Sequence, residues 1–408
     1  MEKIGNYITG YIKGKTPKIL YDNIQDGALP YLTPDYLRGK GLPEQYAEHS
    51  GNSILVDDGE VIILWDGSNA GEVLISKNGI LASTMTLLEF NEEKIDKKYF
   101  GYAFQNLEYI LKAKTAGSGI PHADKGIIKR LDFYKPDKTE QSAIANILSK
   151  VDEAIASVHN SIATAERLKK SLMQNLLTGK MKSDGTFRTP EEFYIKEKFG
   201  KVPKGWEVKK LKDVCLNKGD YGANASATTF DEKGSRFIRI TDIDDYGNLV
   251  EDRKAGILSD NYNSYLLQDD DFLFARTGDT VGKSLLYKKE MGLAVYAGYL
   301  IKFTFNKDII LPEYFDLLAK SDFFEAFKVA MKRVGAKPNI NSREYCSFKF
   351  LLPTDLEEQR NIYESFSKLS KQQIEKRNKI AILERLKKSL MQNLLTGRVR
   401  VKGTSNNK

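Results

Sequence analysis

Cysteine is nearly missing: Cys215 and Cys346 are the only two in 408 residues. Two thiols cannot build a disulfide framework, and the chain is expected in the cytoplasm. The three histidines, His49, His122 and His159, are scattered without ligand spacing, so no metal site is expected. No apolar run reaches the roughly 18 residues that suggest a membrane span. The opening stretch MEKIGNYITGYIKGKTPK lacks an apolar signal core. Neither a membrane partner nor secretion is expected.

Catalytic motifs are missing as well. GDTVGKS (278–284) resembles a phosphate-binding loop, but three residues separate Gly278 from the glycine–lysine pair where four are required, and position 277 is threonine. GKT at 14–16 lacks the upstream glycine. There is no GxSxG, no HExxH, and no Asn-Pro-Pro or Asp-Pro-Pro motif of a DNA amino-methyltransferase. Charged triplets such as Glu92, Glu93 and Lys94 are expected by chance when 29% of residues are charged. No catalytic residue is assigned, and the chain is not expected to be an enzyme.

What is present is basic charge. The formal net charge is +8 and the pI is near 9.0, which favours a polyanionic partner, most often nucleic acid. A hydrophobic content of 41% and a mean hydropathy of −0.44 suit a globular protein, and the length suits two domains.

The strongest internal signal is a repeat. ERLKKSLMQNLLTG occurs at Glu166–Gly179 and again at Glu384–Gly397, an offset of 218. At the same offset Asp137, Glu140 and Gln141 match Asp355, Glu358 and Gln359. Ile144, Leu148, Val151, Ile155, Val158, Ile162 and Ala165 then form a heptad seam. The second copy reads Ile362, Phe366, Leu369, Gln373, Lys376, Ile380 and Leu383, so Gln373 and Lys376 interrupt it. The D-x-x-E spacing predicts an N-cap with a reciprocal acid in each copy, and Gly179 and Gly397 stand where a C′ glycine ends a helix. Two helices of about 40 residues, roughly 60 Å long, are predicted over 137–179 and 354–397, packed antiparallel. In the repeated segment Leu168, Leu172 and Leu176 form a stripe, while Ser171, Gln174 and Asn175 are not required by packing. An identical surface shown twice predicts one partner bound twice about a pseudo-twofold axis. The candidate partner-binding residues are Leu172, Gln174, Asn175 and Leu176, with Leu390, Gln392, Asn393 and Leu394.

Residues 1–136 and 206–353 share a rhythm but few letters. VIILW (61–65) and DFLFA (271–275) each enter a glycine loop, WDGSNAGEV and RTGDTVGKS. Gly67 and Gly71 match Gly278 and Gly282 at offset 211. KKYF (97–100) and PEYF (312–315) predict helix starts. GSGIPHADKG (117–126) and GAKPNINSRE (335–344) predict loops before return strands over 129–133 and 346–350. Between the halves, 180–205 forms a linker in which Thr189, Pro190, Glu191 and Glu192 predict a short capped helix; 398–408 forms a basic tail. The fold class is therefore mixed α/β (α+β): two similar domains separated by two long antiparallel coiled-coil helices.

The glycine loops carry the recognition chemistry. Arg276, Thr277, Thr280, Lys283 and Ser284 suit phosphate contacts and guanine readout. Arg333, Lys337, Asn339, Asn341 and Arg343 add a second loop, asparagine being the usual reader of adenine. In the first half Ser68, Asn69, Lys77, Lys114, Ser118, His122 and Lys125 hold the equivalent places. Singly, each basic residue reads as solvated surface charge; concentration in matching loops raises the group above that background.

RTGDTVGK (276–283), the Glu-Gln helix starts at 140–141 and 358–359, LMQNLLTG at 172–179 and 390–397, and VPKGWE (202–207) together resemble the specificity subunit of type I restriction-modification enzymes, over essentially the whole chain. The resemblance implies that each variable domain is a target recognition domain reading one half of a split duplex-DNA sequence. It implies that the helices set the spacer between half-sites and dock two DNA adenine methyltransferase subunits. Cofactors are expected only in partner subunits: S-adenosylmethionine in those for modification, ATP and Mg in the restriction and translocase subunits. Two departures stand out. The first domain has no counterpart of PKGW (203–206), and RVRVKG near the C-terminus is expected to pack near the N-terminus. WDG (65–67) replaces RTG (276–278), which speaks against arginine readout in the first domain. The rival reading is a coiled-coil scaffold for protein partners, disfavoured by the basic loops; a self-contained nuclease ranks third.

Overall fold

Asp137 begins the first long helix, Lys138–Leu177, by accepting the Glu140 amide at 2.9 Å. Asp355 does the same for the second, Leu356–Leu394, through the Glu357 amide at 2.9 Å. Gly179 and Gly397 end them in left-handed conformations, φ 65° and 73°. At Gly179 a Cβ would also sit 2.3 Å from Pro203 Cγ, so packing and conformation both select glycine. The computed structural model describes residues 1–39, 42–49, 51–114, 121–197, 199–231, 234–258, 262–331 and 338–401.

The chain divides into two compact units, Met1–Ser161 with Lys376–Lys408, and Ile162–Glu375. Each long helix contributes to both, so each unit holds one domain and a stretch of helix pair. In the first unit Lys387 pairs with Asp152 at 2.7 Å and Lys376 Nζ donates to Ser161 Oγ at 2.7 Å. The partner numbers rise on one helix as they fall on the other, so the stretches run antiparallel. In the second unit Lys169 Nζ donates to Ser370 Oγ at 2.9 Å. Lys169 and Lys387 are the same position of the repeated segment, and both reach across the coil. Gln373 does interrupt the seam: it is buried, and its Nε2 has no hydrogen-bond partner among the described residues.

The first domain centres on an antiparallel sheet in the order Ile8–Lys13, Met85–Phe90, Val61–Leu64, Val73–Ile75. The second repeats it with Asp220–Tyr221, Leu300–Phe303, Phe272–Ala275 and Ser284–Leu286. Each also has one parallel pair, Ala28–Leu32 with Gly79–Leu81 and Arg236–Ile238 with Ala294–Tyr296. The helices Lys97–Asn106 and Pro312–Ala319 start where the sequence predicts. Tyr99 and Tyr314 on them donate to the carbonyls of Tyr134 and Leu351. The core of the first domain continues onto Ile144, Leu148, Leu394 and Leu395 of its own unit. That of the second continues onto Leu176, Leu177, Ile362 and Phe366.

Several expectations are corrected. The capping acids do not fold back on their own helix. Glu140 is bound by Arg400 (Nη2 to Oε2, 2.7 Å) and the Val401 amide. Glu358 accepts from Trp206 Nε1 at 3.0 Å and pairs with Arg188. Partners brought from far along the chain outcompete the local box. The 129–133 strand shortens to Asp132–Phe133, because Lys125–Arg130 forms a helix capped by Asp124 and burying Ile128. Likewise Ser342–Cys346 is a helix with an Asn341–Glu344 capping box, and the strand starts at Lys349. The linker helix is one turn, Pro190–Glu192, with its capping box. Among the described residues no helix is long and apolar enough to cross a membrane.

Candidate nucleic-acid interface

Backbone hydrogen bonds hold the two candidate loops of each domain together. In the first, Gly67 N donates to Pro121 O at 3.1 Å and Ala123 N to Trp65 O at 2.9 Å. In the second, Gly278 N donates to Pro338 O at 2.9 Å and Ile340 N to Arg276 O at 2.9 Å. The bridged residues are Asp66 with His122 and Thr277 with Asn339. The backbone latch is the same; the side chains on it are not. Behind each latch a capping residue starts a short helix, Asp124 in one domain and Asn341 in the other.

An aromatic–cation platform sits on each latch. In the second domain the Arg276 guanidinium lies 5.0 Å from the Tyr221 ring centre, and Tyr221 Oη accepts the Ser342 amide at 3.2 Å. Arg276 Nε is buried without a hydrogen-bond partner among the described residues, an unspent donor beside an exposed loop. In the first domain Trp65 takes the arginine's place, edge-on to Tyr11 at 6.0 Å. Lys125 supplies the cation, 4.9 Å over Tyr11 and 5.9 Å from Trp65. Asp66 accepts from Lys13 Nζ at 2.7 Å and contacts His122 Nδ1 at 2.6 Å. Partial burial pushes the Asp66 carboxyl up, but the hydrogen bonds from Lys13 and His122 outweigh it and leave the group below its ordinary value.

The other candidates divide. Ser68, Asn69, Lys114, Asn339 and Arg343 are exposed. Thr280 Oγ1 donates to Thr277 O at 2.9 Å and so shapes the turn. Lys283 pairs with Asp245 at 2.6 Å, and Lys77 lies over Tyr36 at 4.2 Å. Asn341 spends its side-chain oxygen on the Glu344 amide at 3.0 Å. Ser284 is a correction: it is buried in its strand opposite Phe274 and offers nothing to a ligand. Ser118, Arg333 and Lys337 lie outside the described residues. Tyr11, Lys13, Trp65, Asp66 and Tyr221 were missed. Their signal was faint: Tyr11 and Tyr221 stand 210 apart, close to the 211 of the glycine loops.

On the helix ends Leu176 and Leu394 are also corrections, being core residues of their own units, with Leu172 and Leu390 packed against those cores. Exposed in both copies, alongside the charged residues of the segment, are Leu168 with Gln174, and Leu386 with Gln392; Gln174 Nε2 also donates to Asp322 Oδ2 at 3.0 Å. Asn175 and Asn393 donate to the carbonyls of Ser171 and Ser389, both at 3.0 Å. Burial pushes both cysteine thiols up, so neither is a thiolate near neutral pH.

The sequence matches the family described as Type I restriction modification DNA specificity domain over residues 4–167 and 203–385. It is 31% identical over 408 residues to the type I restriction enzyme MjaVIII specificity subunit of Methanocaldococcus jannaschii, covering 98% of this chain and 92% of the relative. Against the type I restriction enzyme EcoBI specificity subunit of Escherichia coli the identity is 20% over 371 residues, 89% of this chain and 76% of that one. The fold is similar to the crystal structure of the type I restriction-modification S subunit from M. genitalium, with a TM-score of 0.61, 15% identity, and 97% and 95% of the two chains covered. A match over both halves, together with a relative above 30% identity along nearly its whole length, places this chain in the type I restriction-modification DNA specificity family.

Proposed function

We propose that each domain of this specificity subunit reads one half of a bipartite duplex target through its latched loops and aromatic–cation platform. The observation that carries the reading is the latch: matching backbone hydrogen bonds hold Trp65, Asp66 and His122 in one domain and Arg276, Thr277 and Asn339 in the other. A fixed frame with exchanged side chains is what two readers of different sequences need. Arg276 reads guanine in the second half-site. In the first, Lys125 contacts the DNA backbone while Trp65 and His122, the latter oriented by Asp66, meet base edges.

The helix ends dock two DNA adenine methyltransferase subunits through the duplicated exposed surface of Leu168 and Gln174, and of Leu386 and Gln392. Those subunits supply S-adenosylmethionine chemistry; restriction and translocase subunits supply ATP and Mg chemistry. This chain contributes recognition and assembly, not catalysis.

The test is selection from a duplex library with both half-sites randomised, using the complete complex. Trp65→Ala is expected to relax only one half of the selected motif and Arg276→Ala only the other. If both variants select the parental motif unchanged, the latched loops are not the reading surface.

A further inference from the structure

The first domain carries a charged trio that the second lacks. Asp66 Oδ2 is held by Lys13 Nζ at 2.7 Å, and Asp66 Oδ1 lies 2.6 Å from His122 Nδ1. An ionised carboxylate only accepts hydrogen bonds, so Nδ1 carries the proton, and the neutral ring presents Nε2 as an acceptor. The imidazole is 53% exposed while the carboxylate that orients it is 22% exposed. An oriented ring on a half-buried anchor is a preorganised contact, not a loose surface histidine. At the matching latch position the second domain has Asn339, whose amide offers both donors and an acceptor.

Resting on the reading that the latched loops face DNA, we propose that His122, positioned by Asp66, is a base-reading acceptor that selects an amino-bearing base, cytosine or adenine, at one strand position of the first half-site. In the major groove Nε2 accepts from the amino group of cytosine or adenine.

Among the described residues, Asp66, which follows strand Val61–Leu64, holds Nδ1 of the ring. Lys13 ends strand Ile8–Lys13 and spends its charge on the same carboxylate. Lys125, three residues on, points its ammonium over Tyr11 and Trp65. Asp124 is committed to the amides of Gly126 and Ile127 at 2.5 and 3.1 Å.

The experiment is the same selection with the complete complex. His122→Ala is expected to lower discrimination at one base pair of the first half-site, where the parent selects cytosine or adenine on one strand, by about tenfold, within the 1–3 kcal/mol that one base contact supplies. The second half-site should be unchanged. Asp66→Asn should weaken discrimination at the same base pair. Should His122→Ala fold poorly by the Trp65 fluorescence signal, His122→Gln replaces it. An unchanged first half-site in the His122 variants overturns the inference. If Arg276→Ala still alters the second half-site in that case, the reading of the loops stands and only the role of His122 fails. If no variant alters either half, the reading itself fails.

Discussion

The Leu311 amide donates to the side-chain oxygen of Gln359 at 2.8 Å, across 48 residues of chain. The same Gln359 side chain donates to Ile309 O and Pro353 O, both at 2.9 Å. In the other unit Gln141 accepts the Asp96 amide at 2.8 Å and donates to Pro136 O at 2.8 Å. Both glutamines are fully buried. Each sits in the first turn of a long helix and binds only main-chain groups of its domain. These glutamine contacts do not depend on the domain's own side chains.

Removing such a clamp should be costly. Gln359→Leu leaves one amide and two carbonyls without partners in a dry site, and each unsatisfied group costs about 1–3 kcal/mol, so a loss of several kcal/mol is expected. Gln141→Leu leaves two groups and should cost less. The only tryptophans, Trp65 and Trp206, lie in different units, so urea titration followed by fluorescence of single-tryptophan variants reports each unit separately. Equal and negligible shifts for both substitutions would show that the clamps are replaceable.

How much of this was legible in the sequence depends on what fixed each feature. The long helices were, because Asp137, Gly179 and their copies are local signals and the heptad seam is periodic. The glutamine clamps were visible only as repeated letters, since what Gln141 binds lies 45 residues away. The short helices Lys125–Arg130 and Ser342–Cys346 were read as the end of a loop and the start of a strand because their apolar residues are too few to show a period. Leu176 was read as a partner surface because a leucine stripe looks the same whether a partner or the chain's own domain covers it. The Tyr221–Arg276 pairing was not legible: a residue's place over a ring is set by sheet register, which a single sequence does not reveal.

Acid should loosen the C-terminal tail. Hydrogen bonds from Arg400 hold the Glu140 carboxyl below its ordinary value against the opposing effect of burial, and the Val401 amide adds to them. The folded state therefore binds fewer protons than the unfolded one near the ordinary carboxylate value, roughly 4.3. Stability from this contact is complete above that value and is lost as pH falls through it toward the lower folded value. Hydrogen exchange of the Val401 amide, corrected for its intrinsic pH dependence, should accelerate over that window. At neutral pH Glu140→Gln should speed tryptic cleavage at Arg398 and Arg400 several-fold. An unchanged cleavage rate would mean that the tail is held by its apolar contacts alone.

Arg276→Lys separates charge from geometry. Lysine keeps the cation over Tyr221 but loses the planar fork. Binding to random DNA should hold within about twofold, while discrimination at one base pair of the second half-site should fall by about 5- to 150-fold, equivalent to 1–3 kcal/mol. Competition binding with single-base substitutions in each half-site measures this directly. A uniform loss across all sequences would reassign Arg276 to phosphate contact.

Association with DNA should weaken steeply with salt. With a net charge of +8 and cations on both platforms, phosphate neutralisation releases counterions, and affinity should drop by orders of magnitude between roughly 50 and 200 mM salt. Removing one phosphate-binding lysine should lower the slope by about one. For Lys125→Ala that change should appear with no change in base preference; a flat salt response would point to a partner other than a polyanion.

Exchanging the second domain, residues 206–352, for that of another family member should alter one half of the recognised sequence and leave the other intact. Gln359 asks an incoming domain only for one carbonyl and one amide, those at Ile309 and Leu311, which any similarly folded backbone supplies. Glu358 asks for more, because it takes the Trp206 indole N–H at 3.0 Å. A donor domain with tryptophan at that position should give a stable chimera. One lacking it leaves Glu358 with Arg188 alone and should lose about 1–3 kcal/mol, the range for a hydrogen bond to a charged group. Denaturation of the two chimeras side by side, with their selected motifs, tests both points. A chimera that folds but changes both halves of its motif would mean that the domains read DNA jointly.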